Sequence, residues 1–252
     1  MKQTIAVVFF SLFLISTGCS VYEDIYFLED GKVKYNMTID GADVMALAGS
    51  SSLKNNNNKF PKDSIINFAQ IVRDTLDIIP QEIEQDLKNI EPLYMRVQND
   101  DSLGILKISL YGDFDNMEAF TNAFTSMSKI EGQVKNRKGD NPMNKFSIDN
   151  LFNRNSFFWD GVTFKRTVTV EKNQDNEGDN ADKRLEKNID ESVSRLFSQG
   201  QMVVKYHFPQ KVKNVSNKDA TFSMDGKTVI LNYPASLFLK PDNELSIDIE
   251  TE

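Results

Sequence analysis

Residues 21–39, VYEDIYFL-EDGK-VKYNMTI, decide the fold. Val21 to Leu28 alternates loosely. Glu29-Asp30-Gly31-Lys32 contains the Asp-Gly pair that favours a tight reversal. Val33, Tyr35, Met37 and Ile39 then alternate with Lys34, Asn36 and Thr38. Period-two patterning on both sides of an Asp-Gly turn specifies a β-hairpin with one buried face. A hairpin with one apolar face needs a cover, so the rest of the chain is read for what can supply it.

Two more hairpins follow the same logic. Leu93–Val97 with Leu103–Tyr111 forms one. Phe157-Phe158-Trp159 with Val162–Val170, around Asp160-Gly161, forms the other. Toward the C-terminus the reading is all short strands: 201–208, 212–215, 220–224, 228–233 and 245–250, with Asp225-Gly226 as a third turn of this type. Helical spacing supplies the covers. Ile65, Phe68, Ile71, Val72 and Leu76 predict a helix over 60–77, and Ile83, Leu87 and Ile90 a short one after Pro80. Met117, Phe120, Phe124 and Met127 predict a helix over 116–129, with Asp115 as N-cap and Glu118 at capping-box spacing. Leu185, Ile189, Val193 and Leu196 predict another, and 42–48 a short one. The stretches 49–59, 132–145 and 173–182 are polar loops. The expected fold is α+β, a largely antiparallel sheet with amphipathic helices packed on it. The terminal strands are expected to share one sheet.

The first residues have another origin. Met1-Lys2-Gln3-Thr4 is positive, and Ile5–Ile15 is almost wholly apolar. Eleven helical residues span about 16 Å, too short for a bilayer core of about 30 Å, but the right size for a signal-peptide core. Ser16-Thr17-Gly18-Cys19 follows and resembles a bacterial lipobox, departing from it in having Ser16 where Leu is usual. The expectation is a signal peptide over 1–18, cleaved between Gly18 and Cys19, with acyl chains such as palmitate on Cys19. Residues 19–252 then form one domain, with 132–150 as the place where it would subdivide. Ser20 after the cysteine is compatible with outer-membrane sorting, and Glu23-Asp24 faintly resembles an acidic surface-export tag.

Composition sets the remaining bounds. The 252 residues include 18 Phe, ample for a packed core, and a single Cys, so no intramolecular disulfide forms. The net charge of −8 becomes −9 once Lys2 leaves with residues 1–18. An acidic body argues against a nucleic-acid partner. The anchored membrane is the expected partner, with an envelope protein or a lipid as further ligand.

The order Phe208-Pro209, Val212, Val215, Asn217, Ala220, then Asp225-Gly226-Lys227-Thr228-Val229, resembles the C-terminal strands of LppM-type bacterial lipoproteins. The opening, Cys19 followed by a strand and the Asp30-Gly31 hairpin, is similar too. The resemblance covers about residues 19–40 and 200–250. It implies a lipid-anchored α+β envelope domain with a binding role, lipid being one ligand the resemblance suggests.

Catalytic chemistry finds little purchase. His207 is the only His, on an alternating strand before Pro209, with no G-x-S-x-G elbow in the chain to partner it. No nucleotide-binding glycine motif occurs, and no cofactor is expected. Asp175, Glu177, Asp179 and Glu186 stand at calcium-loop places 1, 3, 5 and 12, but Asn180 replaces the glycine at place 6. They are the one weak metal candidate, in what reads as a solvated acidic loop. The expected function is a non-enzymatic binding or assembly module. The alternatives are an envelope hydrolase using only carboxylates, or a passive structural lipoprotein.

Overall fold

The computed structural model describes residues 19–41, 63–75, 79–100, 102–134, 155–169, 197–239 and 243–252. The signal peptide, the 42–48 helix, the acidic loop, most of the 185–197 helix and, beyond residue 134, the subdivision near 132–150 lie outside the described residues.

The opening hairpin forms as its pattern dictates. β1 (Ser20–Phe27) pairs antiparallel with β2 (Val33–Asp40), Val21 opposite Ile39 and Phe27 opposite Val33. Gly31 takes a positive φ in the turn, as do Gly161 and Gly226 in the other Asp-Gly turns. β3 (Asp63–Asn67), β4 (Leu93–Asp100) and β5 (Ile105–Phe114) extend the sheet on one side. β8 (Gln201–His207), β10 (Thr221–Phe222) and β11 (Thr228–Pro234) extend it on the other. Among the described residues the order is β10-β11-β8-β1-β2-β5-β4-β3, antiparallel except for β1 beside β8. A second sheet, wholly antiparallel, runs β6 (Asn155–Trp159), β7 (Thr163–Val168), β12 (Ile247–Thr251), β9 (Val212–Val215). The α+β class is therefore as expected.

Three details differ from the sequence reading. The chain over 63–67 is an edge strand on β4, and helix α1 covers only Phe68–Thr75. The Asn67 carboxamide oxygen accepts the Gln70 amide at 3.1 Å, which starts the helix there. Helix α2 (Glu84–Asn89) follows a 3-10 turn at Gln81–Ile83 and buries Ile83, Leu87 and Ile90 as read. Helix α3 (Met117–Val134) is capped by Asn116, whose oxygen accepts the Ala119 amide at 2.8 Å, and not by Asp115. The C-terminal strands divide: β8, β10 and β11 join the N-terminal strands, while β9 and β12 belong to the second sheet.

The large sheet buries one face. Aromatic side chains fill the space beneath it. Phe27 packs on Trp159, Phe164 and Phe208 at 4.9–5.1 Å between ring centroids. Phe120 of α3 packs on Phe114, Phe124 and Phe157 at 4.7–5.3 Å, and Tyr35 meets Phe124 edge-on at 5.1 Å. These contacts put α3 under β2 and β5, and the second sheet under β1 and β8. A sheet, not helices alone, thus covers the β1–β8 side of the apolar face. The opposite face carries Tyr22, Asp24, Tyr26, Lys34, Asn36, Tyr94, Tyr111 and His207.

Gly200, at the head of β8, passes hard against Cys19. A Cβ there would sit 1.7 Å from the Cys19 carbonyl oxygen and 2.7 Å from its carbon, both backbone atoms that cannot swing aside. Gly200→Ala should therefore destabilise the fold by about 1–3 kcal/mol, the usual cost of overpacking. A urea midpoint equal to that of the parent protein would contradict this contact.

Candidate functional site

Two polar constellations stand out, one beneath the large sheet and one on its open face. The first begins with a charge in the wrong phase of an alternating strand. β1 points Val21, Glu23, Ile25 and Phe27 inward, and β7 points Phe164, Arg166 and Val168 inward. Glu23 and Arg166 are 1% and 2% exposed. They meet across the two sheets, Arg166 Nη1 donating to Glu23 Oε2 at 2.6 Å. Tyr35 donates its hydroxyl to Glu23 Oε1 at 3.1 Å, and Arg166 donates to the Tyr206 oxygen at 3.1 Å and the Asn155 oxygen at 2.8 Å. The guanidinium also lies over the Phe157 ring, 5.4 Å from its centroid.

Each group's proton affinity follows from this shell. Burial pushes the Tyr35 and Tyr206 phenols up, with the Glu23 carboxylate adding to the rise and Arg166 opposing it. Burial alone would lower the Arg166 guanidinium. The Glu23 carboxylate outweighs it, with help from Tyr206, and holds Arg166 above its ordinary value. Glu23, Arg166, Tyr35 and Tyr206 are each 2% exposed or less, so the ion pair is a lock closed off from any ligand.

The second constellation is exposed. His207 on β8 faces outward, its Nε2 2.8 Å from Asp24 Oδ1 and its Nδ1 3.1 Å from Thr228 Oγ1. Tyr26 stacks on the imidazole, 4.0 Å between centroids and 5° between planes. Next to it, two clefts of about 310 and 320 Å³ adjoin and share Lys34 and Asp113. One is walled by Tyr26, Asn36 and Tyr111. The other takes in Asp30, Lys32 and Asp115 at the β1–β2 turn and the end of β5. Lys34 and Asp113 pair at 3.5 Å across the shared wall. The Asp30 carboxyl is held below the usual carboxylate range, chiefly by the Lys32 backbone amide it accepts from. The mouth is therefore amphipathic: two tyrosine rings, a carboxamide, and charges of both signs.

The sequence-predicted residues fall as follows. Cys19 immediately precedes β1 and is buried in this chain. Gly18, and the candidate cation ligands Asp175, Glu177, Asp179 and Glu186, lie outside the described residues. Among the described residues no cluster of three or more His, Cys, Asp or Glu could hold a metal ion, and no helix is long and apolar enough to cross a membrane. His207 is the strand-surface residue the alternation required. Glu23 and Asp24 do not form an acidic surface tag: Glu23 is in the core lock and Asp24 is bonded to His207. The lock was missed in the sequence, although a lone acid in one inward phase and a lone base in another is a legible signal for a cross-core pair.

The geometry defines a two-sheet α+β body with a helix beneath its larger sheet and an open aromatic face. Among solved structures it is similar to the folded domain of LppM from Mycobacterium tuberculosis, determined by NMR. The two are 9% identical over 94% of this chain and 91% of that one, with a TM-score of 0.38. No family model matches the sequence, and no curated protein matches it.

Two outcomes follow. Arg166→Met alone leaves Glu23 buried and unpaired, and should cost about 3–5 kcal/mol. Adding Glu23→Leu should recover most of that in a denaturant titration, whereas simple additivity of the two losses would show that the groups do not act as a pair. The second outcome concerns alkali. Raised phenol values mean the native state holds protons that the unfolded chain releases at its ordinary value of about 10. The tyrosines' contribution is complete below that pH and is lost as pH climbs from it toward their native values. Tyr206→Phe should flatten the fall of the urea midpoint between about pH 9 and 11; an unchanged slope would contradict the assignment.

Proposed function

We propose that this chain is a bacterial cell-envelope lipoprotein, held in the outer membrane by acylated Cys19, whose body is a non-enzymatic binding or assembly module. One observation carries the reading. Anchor residue and cleft sit at opposite ends of the same strand: Cys19 heads β1, and Tyr26, near its other end, walls the cleft. From Ser20 to Phe27 a strand spans about 24 Å. A body tethered at Cys19 thus offers its cleft away from the lipid, toward a partner arriving through water.

The lipobox-like Ser16–Cys19 supports the tether. With Cys19 buried behind Gly200, acyl transfer to its thiol belongs before β1 docks between β2 and β8. Of the two partner classes, the interior favours a protein over a lipid, since the space beneath the sheet is filled by the aromatic cluster of Phe27, Phe120, Phe124, Phe157 and Phe164. The open face suits a protein contact, because tyrosines that are rigid and half-exposed are the side chains on which interfaces concentrate their energy. Tyr22, Tyr26 and Tyr94 are 41%, 37% and 38% exposed. Further apolar groups stand at the Tyr26 end of β1, in the tips that carry Val162 and Met224.

The carboxylate-hydrolase alternative draws on Asp30, Asp113 and Asp115 around one cleft. A general acid needs a raised value, and Asp30 is held low, which weakens that reading.

Two results test the proposal together. Cys19→Ala should move the protein from the membrane fraction to the soluble one. Tyr26→Ala with Tyr111→Ala should leave it membrane-bound and folded but deplete, by about tenfold or more, the envelope protein that co-purifies with the parent after mild detergent extraction. Undiminished recovery of the same protein would remove the cleft from the account, and membrane retention of Cys19→Ala would remove the anchor.

A further inference from the structure

We infer that the group the Tyr26–Tyr111 cleft takes from its partner is an arginine side chain, its stem against Tyr26, its guanidinium on Tyr111 and paired with Asp113. The inference rests on the reading of this cleft as a protein-binding site and names the chemistry the partner must present. Strand register sets the geometry. Tyr26 on β1 lies opposite Lys34 on β2, and Lys34 opposite Asp113 on β5. Two residues along β2, Asn36 lies opposite Tyr111 on β5, and Tyr111 opposite Tyr94 on β4. Tyr26 and Tyr111 thus flank β2 from its two sides, two strand spacings or about 10 Å apart.

Each ring is stacked on the side away from β2. Tyr26 lies on His207 of β8, with 5° between the planes, and Tyr111 on Tyr94 of β4, with 20°. The other face of each ring turns toward β2 and lines the cleft, with Asn36 between them. A flat ring wedged between two faces needs them about 7–8 Å apart, since carbons in contact sit about 3.5–4.0 Å from one another. An aromatic side chain would therefore touch only one of these tyrosines. A long side chain with an apolar stem and a flat polar head touches both.

The head is selected by what stands beside Tyr111. Asp113 is two residues further along β5, so it projects from the same face. A guanidinium stacks on a tyrosine ring and grips a carboxylate with two parallel N–H bonds, which a lysine ammonium does not do. Asn36 offers a carboxamide oxygen to a remaining N–H. The Asp113 carboxylate is 76% exposed, and Lys34 Nζ reaches it at 3.5 Å. Lys34 therefore shows that a cation fits there, and its pair is long and solvated enough to be displaced cheaply. Charge points the same way. The two adjoining clefts carry three carboxylates, Asp30, Asp113 and Asp115, against the two ammonium groups of Lys32 and Lys34. The chain as a whole has a net charge of −8, which draws a basic partner toward it. An uncharged apolar side chain would strip water from Lys34 and Asp113 and give no bond in return.

The test uses the full chain in detergent micelles, with isotope-labelled tyrosines observed by NMR and assigned through Tyr26→Phe and Tyr111→Phe. Three capped tripeptides are titrated, with arginine, lysine or citrulline between two glycines. Citrulline keeps the shape of arginine without its charge. The arginine peptide should shift both rings, half-saturating at about a fivefold lower concentration than the lysine peptide and about tenfold lower than the citrulline one. Asp113→Asn should raise that concentration about fivefold. Lys34→Gln should lower it about threefold, because the competing ammonium is gone; a misfolded variant could not bind more tightly. Equal half-saturation by the arginine peptide and either of the others, no shift with any of them, or weaker binding to Lys34→Gln would each overturn the arginine site. The protein-binding reading is judged separately, by whether Tyr26→Ala with Tyr111→Ala depletes the co-purified partner. Depletion there beside a failed titration would mean that the cleft holds a different group of that partner.

Discussion

The buried pair between Glu23 and Arg166 is the constraint on which the arrangement of the two sheets rests. Taking both charges out of water costs several kcal/mol, and only complete hydrogen bonding offsets it. Here it is offset by two tyrosine hydroxyls and the Asn155 carboxamide. Such a pair contributes less to stability than to uniqueness. A one-residue slip of β1 against β2 would turn Glu23 out and leave Arg166 alone in the core. The pair thereby pins the register of β1, and with it the positions of the residues at its two ends. Cys19 is fixed at one end against Gly200, and Tyr26 at the other against His207.

Much of this was written in the sequence, and the part that was not has physical reasons. The three Asp-Gly hairpins were legible because two independent signals agreed, alternation and a residue pair that accepts a positive φ. The stripe of Phe120, Phe124 and Met127 was legible because helical spacing and burial coincide. The stretch from 63 to 67 reads as helix in the sequence because Ile65 and Phe68 fit a helical face equally well. What made it a strand is the free edge of β4, a partner far away in sequence. The second sheet as a cover was also out of reach, since no local pattern says whether an apolar face will meet helices or strands.

The candidate site divides along the same line. His207 on a strand surface followed from alternation alone. Its company did not: Asp24 and Thr228 reach it from β1 and β11, and only sheet order brings those strands to either side of β8. The clefts around Lys34 and Asp113 likewise come from juxtaposing one hairpin turn with the end of β5. Glu23 resembles part of a tag by its position close behind a lipobox, whereas its phase in β1 points it into the core.

Function then becomes a matter of orientation. With no spacer between Cys19 and a central strand, an acyl anchor would dictate which end of the body faces lipid and which faces the envelope space. The whole account turns on how the mature protein begins. Mass spectrometry of the N-terminal peptide, released from protein purified out of the membrane, decides it. The account predicts a peptide that starts at Cys19 and carries a thioether-linked diacylglycerol. A peptide that starts upstream of residue 19, or one with an unmodified thiol, would contradict it.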